Sequence, residues 1–265
     1  MIDLNTAVGV VGNGLRHLRS VQQPAEYSQI EGIEILRDTN TNSNQGDAVL
    51  VASKSPTEIV NSISRCNLRN NYSLHHFLNS DSDVQACVQE YDALGFTLTN
   101  QHYLIAQDLQ PRVRTIGKWS VQRAETILEV NSVEKIAKQK LVSLEDMPPS
   151  SRGVRLYYAH DGARIMGWVR SAQVSDVHSW NDDLFTVPEY RRKGAAADLM
   201  ELIHADDSDF GVETTVSFST PENFVYHERF GYQKIGVKLR FLPKKSFLQT
   251  QLLWLKSMVK SKMTY

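Results

Sequence analysis

Cysteine is scarce in this chain, with only Cys66 and Cys87 among 265 residues. The two form neither a Cys-x-x-Cys pair nor a Cys/His cluster, so the sequence offers no zinc site and no disulfide framework. Free thiols suit a reducing, cytoplasmic setting. An excess of one charge is also missing: 29 basic side chains stand against 30 acidic ones, a formal net charge of -1. A dedicated nucleic-acid binder normally shows a basic excess, so no nucleic-acid partner is expected. No apolar run approaches the roughly 18 residues of a membrane span, which leaves no transmembrane segment to expect. The opening MIDLNTAVGVVGNGL carries Asp3 and no basic stretch, and reads poorly as a signal peptide.

What is present is an ordinary globular composition, 41% hydrophobic and 22% charged. The length suits one large domain or two small ones. Residues 4–20 have helical spacing, weakened by Gly9, Gly12 and Gly14. Residues 32–36 and 48–52 read as strands. Residues 38–47 (DTNTNSNQGD) form a loop by composition. Pro56 opens a helix with Ser55 as its N-cap. Residues 72–78 read as a strand, 81–94 as a helix stopped at Gly95, and Phe96 onward and 103–106 as strands.

Gln110-Pro111-Arg112 is the expected boundary, and a second series follows. Residues 119–123 read as a strand and 124–141 as a helix. Residues 154–159 and 164–169 pair as a hairpin across Asp161-Gly162. Residues 180–187 form the next strand, 213–218 a strand rich in β-branched residues, 222–230 a helix ended by Gly231, and 232–241 the last strand. Asp206 and Asp207 fall at the exposed end of a helix and take no role. The divisions are 1–112, an α/β domain; 113–243, a second α/β domain; and 244–265, a basic amphipathic helix.

The segment that carries function is TVPEYRRKGAAADLM, residues 186–200. A strand ends at Pro188, a basic turn runs Arg191-Arg192-Lys193-Gly194, and three alanines open a helix. Exposed N–H groups and the positive end of a helix dipole form an anion site, and small residues let a phosphate approach the backbone. The turn lacks the Gly-Lys-Ser/Thr ending of a P-loop and the three glycines of a dinucleotide fingerprint, so ATP hydrolysis and hydride transfer are disfavoured. An ordinary strand-to-helix turn with a solvated basic face is the other reading. An echo links the halves: Tyr91-Asp92-Ala93-Leu94-Gly95-Phe96 can be laid on His227-Glu228-Arg229-Phe230-Gly231-Tyr232. It fits either a duplication or two unrelated helix-to-strand corners.

Residues 119–241 resemble the GNAT superfamily of acetyl-CoA-dependent N-acetyltransferases. Arg191-Arg192-Lys193-Gly194-Ala195-Ala196 stands where that family has its pyrophosphate loop, and Thr220 to Tyr232 resembles its later helix. The resemblance implies an α+β fold with a mixed sheet, and acetyl-CoA as co-substrate with no metal. It also implies a primary amine on a small molecule or protein as acceptor. The strand 180–187 would splay from 213–218, and the pantetheine arm would lie in the gap near Phe185, Thr186 and Val187. The diphosphate would sit on Arg191, Arg192, Lys193, Gly194, Ala195, Ala196 and Ala197. Thr220 or Asn223 would contact the arm, unless Thr220 simply caps the helix.

Many family members carry a tyrosine acid four residues before the Gly-Phe glycine. His227 stands there and Tyr226 just before it, so the resemblance leaves the acid open between them. The resemblance implies a carboxylate base near Asp182 and Asp183, unless the two are a solvated pair at a strand start; strand alternation sets Trp180 and Asp182 on one face, Asp183 and Phe185 on the other. The first 110 residues lack the loop, which fits a degenerate GNAT-like half of a tandem protein. The absent tyrosine at 227 also suits a non-catalytic acyl-CoA sensor or interaction module. In the tail, five lysines and no acid accompany the stripe Leu248, Leu252, Leu255 and Val259. That helix can pack on its own protein, on a second subunit in a homodimer, or on a membrane surface.

Overall fold

The computed structural model describes residues 2–21, 25–38, 46–69, 71–111, 117–143, 145 and 153–244. The expected tail helix lies outside them, apart from Lys244. In chain order the elements are α1 (Leu4–Ser20), β1 (Ala25–Ile30), β2 (Ile33–Asp38), β3 (Ala48–Ala52), α2 (Pro56–Arg65), β4 (Ser73–Leu78), α3 (Val84–Ala93) and β5 (Phe96–Asp108). There follow β6 (Ser120–Arg123), α4 (Ile127–Ala137), β7 (Val154–His160), β8 (Ile165–Gln173), β9 (His178–Thr186), α5 (Ala195–Asp209), β10 (Thr214–Ser219), α6 (Pro221–Glu228) and β11 (Gln233–Pro243). Strand β1 was not expected from the sequence. The two short strands expected after Gly95 are one continuous strand, β5.

All eleven strands join one mixed sheet, in the order β1-β2-β3-β4-β11-β5-β10-β9-β8-β7-β6. The series β3–α2–β4–α3–β5 matches β9–α5–β10–α6–β11 element for element. In each series the first two strands are parallel neighbours. The last strand of each series then crosses over: β11 pairs with β4, and β5 pairs with β10. The two exchanged strands pair with each other, antiparallel, along Gln233↔Ala106 to Pro243↔Phe96. Each half thus completes the sheet of the other. The echo of Tyr91–Phe96 on His227–Tyr232 falls at matching corners, α3 into β5 and α6 into β11.

One face of the sheet is covered by α2 and α3 over one core (Ile59, Ile63, Tyr91, Val237, Leu239, Phe241). A second core on that face lies under α5 (Leu199, Met200, Ile203, Tyr157, Val169), and Tyr103 packs against both. The opposite face carries α1 and α4. Helix α1 is capped by Asp3, whose carboxylate accepts from the Thr6 amide at 3.0 Å, and it buries Leu4, Ala7, Val8 and Val11. The glycines that weaken it as an isolated helix fit it to the sheet. A Cβ on Gly14 would stand 2.3 Å from the Trp180 ring, and one on Gly12 would stand 2.5 Å from Tyr27. Only a helix without side chains there can lie this close to β9.

Asp206 and Asp207 are not an exposed helix end. Asp207 is fully buried and accepts from Arg155, from Ser171 Oγ at 3.0 Å and from Ser179 Oγ at 2.7 Å; Asp206 accepts from Tyr157. This buried cluster ties the C-terminal turn of α5 to β7, β8 and β9. The helix turned its carboxylates inward because β7 supplies a buried guanidinium to meet them.

Candidate active site

Strands β9 and β10 run side by side from His178↔Thr214 to Asn181↔Ser217, and there the pairing stops. Ser217 Oγ donates to the Asn181 carbonyl at 2.8 Å, closing the junction. Beyond it β9 leaves the ladder because of a bulge. Arg170 of β8 faces Asp182, while Trp168, two residues earlier, faces Phe185, three residues later. The extra residue is accommodated by Asp183 in the left-handed region, φ 55°. Asp183 forms an ion pair with the buried Arg170, whose Nη1 donates to the Leu141 carbonyl at 3.2 Å.

The bulge corrects the expected alternation. Phe185 lies on the same face as Trp180 and Asp182, stacked on Trp168 with ring centroids 4.5 Å apart. The period-2 rule fails because one residue is inserted between them. The amide of Val187 donates to the Met166 carbonyl at 2.8 Å, so it belongs to the β8 ladder. Alternation then directs the Thr186 backbone into the gap, where its carbonyl accepts from Arg191 Nε at 3.2 Å.

Helix α5 starts at the mouth of this gap. Its N-cap is Gly194 at φ 100°, and no side chain caps it. Arg191, Arg192, Lys193 and Gly194 are exposed, Ala195 is buried, and Ala196 and Ala197 are half-buried. Arg192 also has positive φ, 59°. The turn is held from below: Trp119 Nε1 donates to the Lys193 carbonyl at 2.7 Å, and the Trp119 amide donates to Asp198 at 2.8 Å. No side chain caps the amides opening the helix, and three cations stand just before them.

At the inner end, Asp182, Asn223, Tyr226 and His227 line one cavity of about 540 Å³. Tyr226 Oη is buried with no partner among the described residues, and burial raises its pKa, so the phenol stays protonated. Burial depresses His227 to about 4, and its Nδ1 also lacks a partner among the described residues. The carboxyl of Asp182 is pushed up by burial and by Asp183. Thr220 caps α6 by accepting from the Asn223 amide at 3.3 Å; the Asn223 side chain is exposed at the cavity rim. The loop residues 191–197 do not line this cavity. They lie at the outer end of the gap, as Phe185, Thr186 and Val187 lie along it.

The cavity passes through the sheet. Its second half is lined by Arg19 of α1, His75 of β4, His102 of β5 and Lys238 of β11. Sequence reading missed these residues. One signal was legible: Lys238 and Arg240 alternate with Val237, Leu239 and Phe241, so one face of the strand is cationic and the other apolar. A larger depression of about 930 Å³ lies between α4 and the β7–β8 hairpin; of the expected site residues only Val187 borders it. No group of three His, Cys, Asp or Glu among the described residues is placed to hold a metal ion, and no helix among them is long and apolar enough to cross a membrane.

No sequence-family profile and no curated protein sequence matches the chain. Solved structures do. A GCN5-related N-acetyltransferase from Kribbella flavida superposes with a TM-score of 0.65 at 11% identity, over 92% of this chain and 96% of that one. A GCN5-related N-acetyltransferase from Sphaerobacter thermophilus gives 0.53 at 11% identity, over 90% and 93%. At such identities the likeness is one of fold, and it runs through both halves of the sheet. The chain has the GNAT fold.

Proposed function

We propose that this protein is an N-acetyltransferase that moves an acetyl group from acetyl-CoA to a primary amine of a small molecule or a protein. The observation that carries this reading is the gap between β9 and β10, a parallel pair parted by a bulge and open toward an uncapped helix N-terminus with three cations. The amides from Arg192 to Ala197, with Arg191, Arg192 and Lys193, would hold the diphosphate. The Thr186 backbone and Asn223 would border the pantetheine arm, with Phe185 and Val187 supporting one wall and Thr220 fixing the start of α6. Bound in that position, acetyl-CoA supplies an acyl thioester.

Tyr226 is assigned as the proton donor to the departing sulfur. It keeps its proton at neutral pH, and its hydroxyl is unengaged among the described residues. His227, neutral above pH 4 or so, is assigned to position the acid beside it. Asp182, made more basic by its surroundings, is assigned to take the proton of the incoming ammonium. The repeated element order supports a tandem reading, with 1–112 a GNAT-like repeat without a cofactor cleft and 113–243 the active one.

Calorimetry with acetyl-CoA and thiol release against an amine panel test the reading. Binding with amine-dependent release is expected, and Tyr226→Phe should lower kcat by roughly 10²- to 10⁴-fold with acetyl-CoA affinity kept. Absence of binding at millimolar acetyl-CoA would sink it. Binding without release would leave a non-catalytic acyl-CoA sensor.

A further inference from the structure

Three donor side chains with no role in the acetyl-CoA half of the cavity, Lys238, His75 and His102, meet in its other half, with Arg240 beside them on the strand. Strand register sets Lys238 opposite His102 and Arg240 opposite His75. All four share the face that carries Trp180 and Phe218, the face covered by α1. Lys238 is 7% exposed; its Nζ lies 3.6 Å from the Phe218 ring centroid and forms no ion pair or hydrogen bond among the described residues. Arg240 Nε, His75 Nδ1 and His102 Nδ1 are buried and likewise without a partner among the described residues. The His75 ring is fixed by Ser73 Oγ, 3.0 Å from Nε2.

Lys238 is acted on by the charge of Asp182 but forms no ion pair with it, and each buried polar atom without a hydrogen bond is costly. Several such atoms around one cavity mark a place where a ligand completes the pairing. The carboxylate facing this cluster within the cavity is Asp182, whose charge acts on Lys238. The cavity therefore sets one acidic group, Asp182 of β9, against a basic cluster on β4, β5 and β11.

Resting on the acetyltransferase reading above, we infer that the acceptor is a zwitterion: an amine that also carries an anionic group, a carboxylate or a phosphate. Its anionic end is held by Lys238 with His75 and His102, and its amine points to Asp182. The N-terminal half, which has no cofactor cleft of its own, supplies the acceptor site through β4 and the exchanged strand β5.

The test uses the full-length protein and acetyl-CoA, with thiol release measured for glycine, β-alanine and 2-aminoethyl phosphate against glycinamide and ethanolamine. The anionic amines should show kcat/KM at least tenfold above their uncharged-tail counterparts, and the better of carboxylate and phosphate names the group. Lys238→Met should raise KM for the anionic amines tenfold or more and leave acetyl-CoA affinity unchanged, while Lys238→Arg should keep the preference. Equal turnover of the uncharged-tail amines, or an unchanged KM in Lys238→Met, overturns the inference.

A second arm needs no acetyl-CoA. Inorganic phosphate and acetate are titrated while the imidazole NMR signals of His75 and His102 are followed. Shifts that vanish in Lys238→Met are expected; signals that move with neither anion overturn the inference. Should the shifts appear in a protein that binds no acetyl-CoA, the basic cluster stands as an anion site and the acetyltransferase reading falls.

Discussion

Two strand-helix turns occupy matching places in this molecule, and they differ at each point that matters for binding an anion. Before α2 the helix is closed by its own side chains. Ser55 accepts from the Glu58 amide at 3.3 Å, and Glu58 accepts from the Ser55 amide at 2.9 Å, which places a carboxylate on the helix N-terminus. The strands beside it, β3 and β4, stay paired from Ala48↔Ser73 to Ala52↔Phe77, where β3 ends. Before α5 no side chain caps the helix, the first-turn carboxylate of Asp198 is taken by the Trp119 amide, three cations precede the helix, and β9 runs five residues past its last pairing with β10. The first turn satisfies itself and the second leaves its donors open. The same topology is compatible with a sealed sheet or a cleft, and one inserted residue with a missing cap decides between them.

The largest effect should come from separating the two halves. Because β5 and β11 are exchanged, residues 1–111 and 113–265 expressed singly should yield no cooperative thermal transition, whereas co-expression should restore a stable complex. A folded, soluble monomer of either half would show that the exchange is incidental and that each half closes on itself.

A few kcal/mol should be lost on acidification. Burial depresses both His76, in the N-terminal half, and His227, in the C-terminal half, to about 4. Their unfolded value is near 6.5. Between these values the unfolded chain takes up protons that the folded chain refuses. Stability is therefore full above about pH 6.5, falls as pH drops toward 4, and levels below it. Each group contributes at most about 1.4 kcal/mol per pH unit in that window. Melting curves from pH 7 to 4 measure the slope, and His76→Phe should remove that residue's share, leaving those of His75 and His102, which burial also depresses. A flat profile would mean that these sites are open to water.

Gly14→Val drives a side chain into Trp180 and should cost roughly 1–3 kcal/mol in denaturant unfolding. Because Trp180 precedes the bulge, acetyl-CoA affinity should fall too, whereas the same change at Gly9, whose added Cβ would meet only Glu34 at 3.9 Å, should spare affinity. The smallest pair tests the two turns directly. Gly194→Val forces a β-branched residue into φ 100° and should weaken acetyl-CoA binding by about tenfold, roughly 1.4 kcal/mol. Ser55→Ala should cost about 1 kcal/mol of stability and leave binding untouched. Equal effects on binding would erase the distinction between the turns.

Local chemistry made much of this legible in the sequence. Ser55 caps where a short acceptor side chain precedes apolar spacing, Asp161-Gly162 turns the β7–β8 hairpin, and Gly194 with its cations marks the open helix. These signals act within a few residues, as hydrogen bonds and steric limits on φ do. Strand β1 escaped notice because four of its six residues are not fully apolar and four are exposed, so it lacks the buried stripe that marks a strand. Asp207 looked solvated because its partners, Arg155, Ser171 and Ser179, lie 28 to 52 residues away.

The sequence by itself determined the elements, the repeated order of strand and helix, and the basic glycine turn, since propensity, capping and backbone sterics are local. Tertiary structure alone decided that β5 and β11 change places, that a bulge at Asp183 opens the cleft, and that Lys238, His102 and His75 gather opposite Asp182. Those outcomes depend on which strands pair and in what register. Register is set by burial summed over residues far apart in the chain, a quantity that no single stretch of sequence contains.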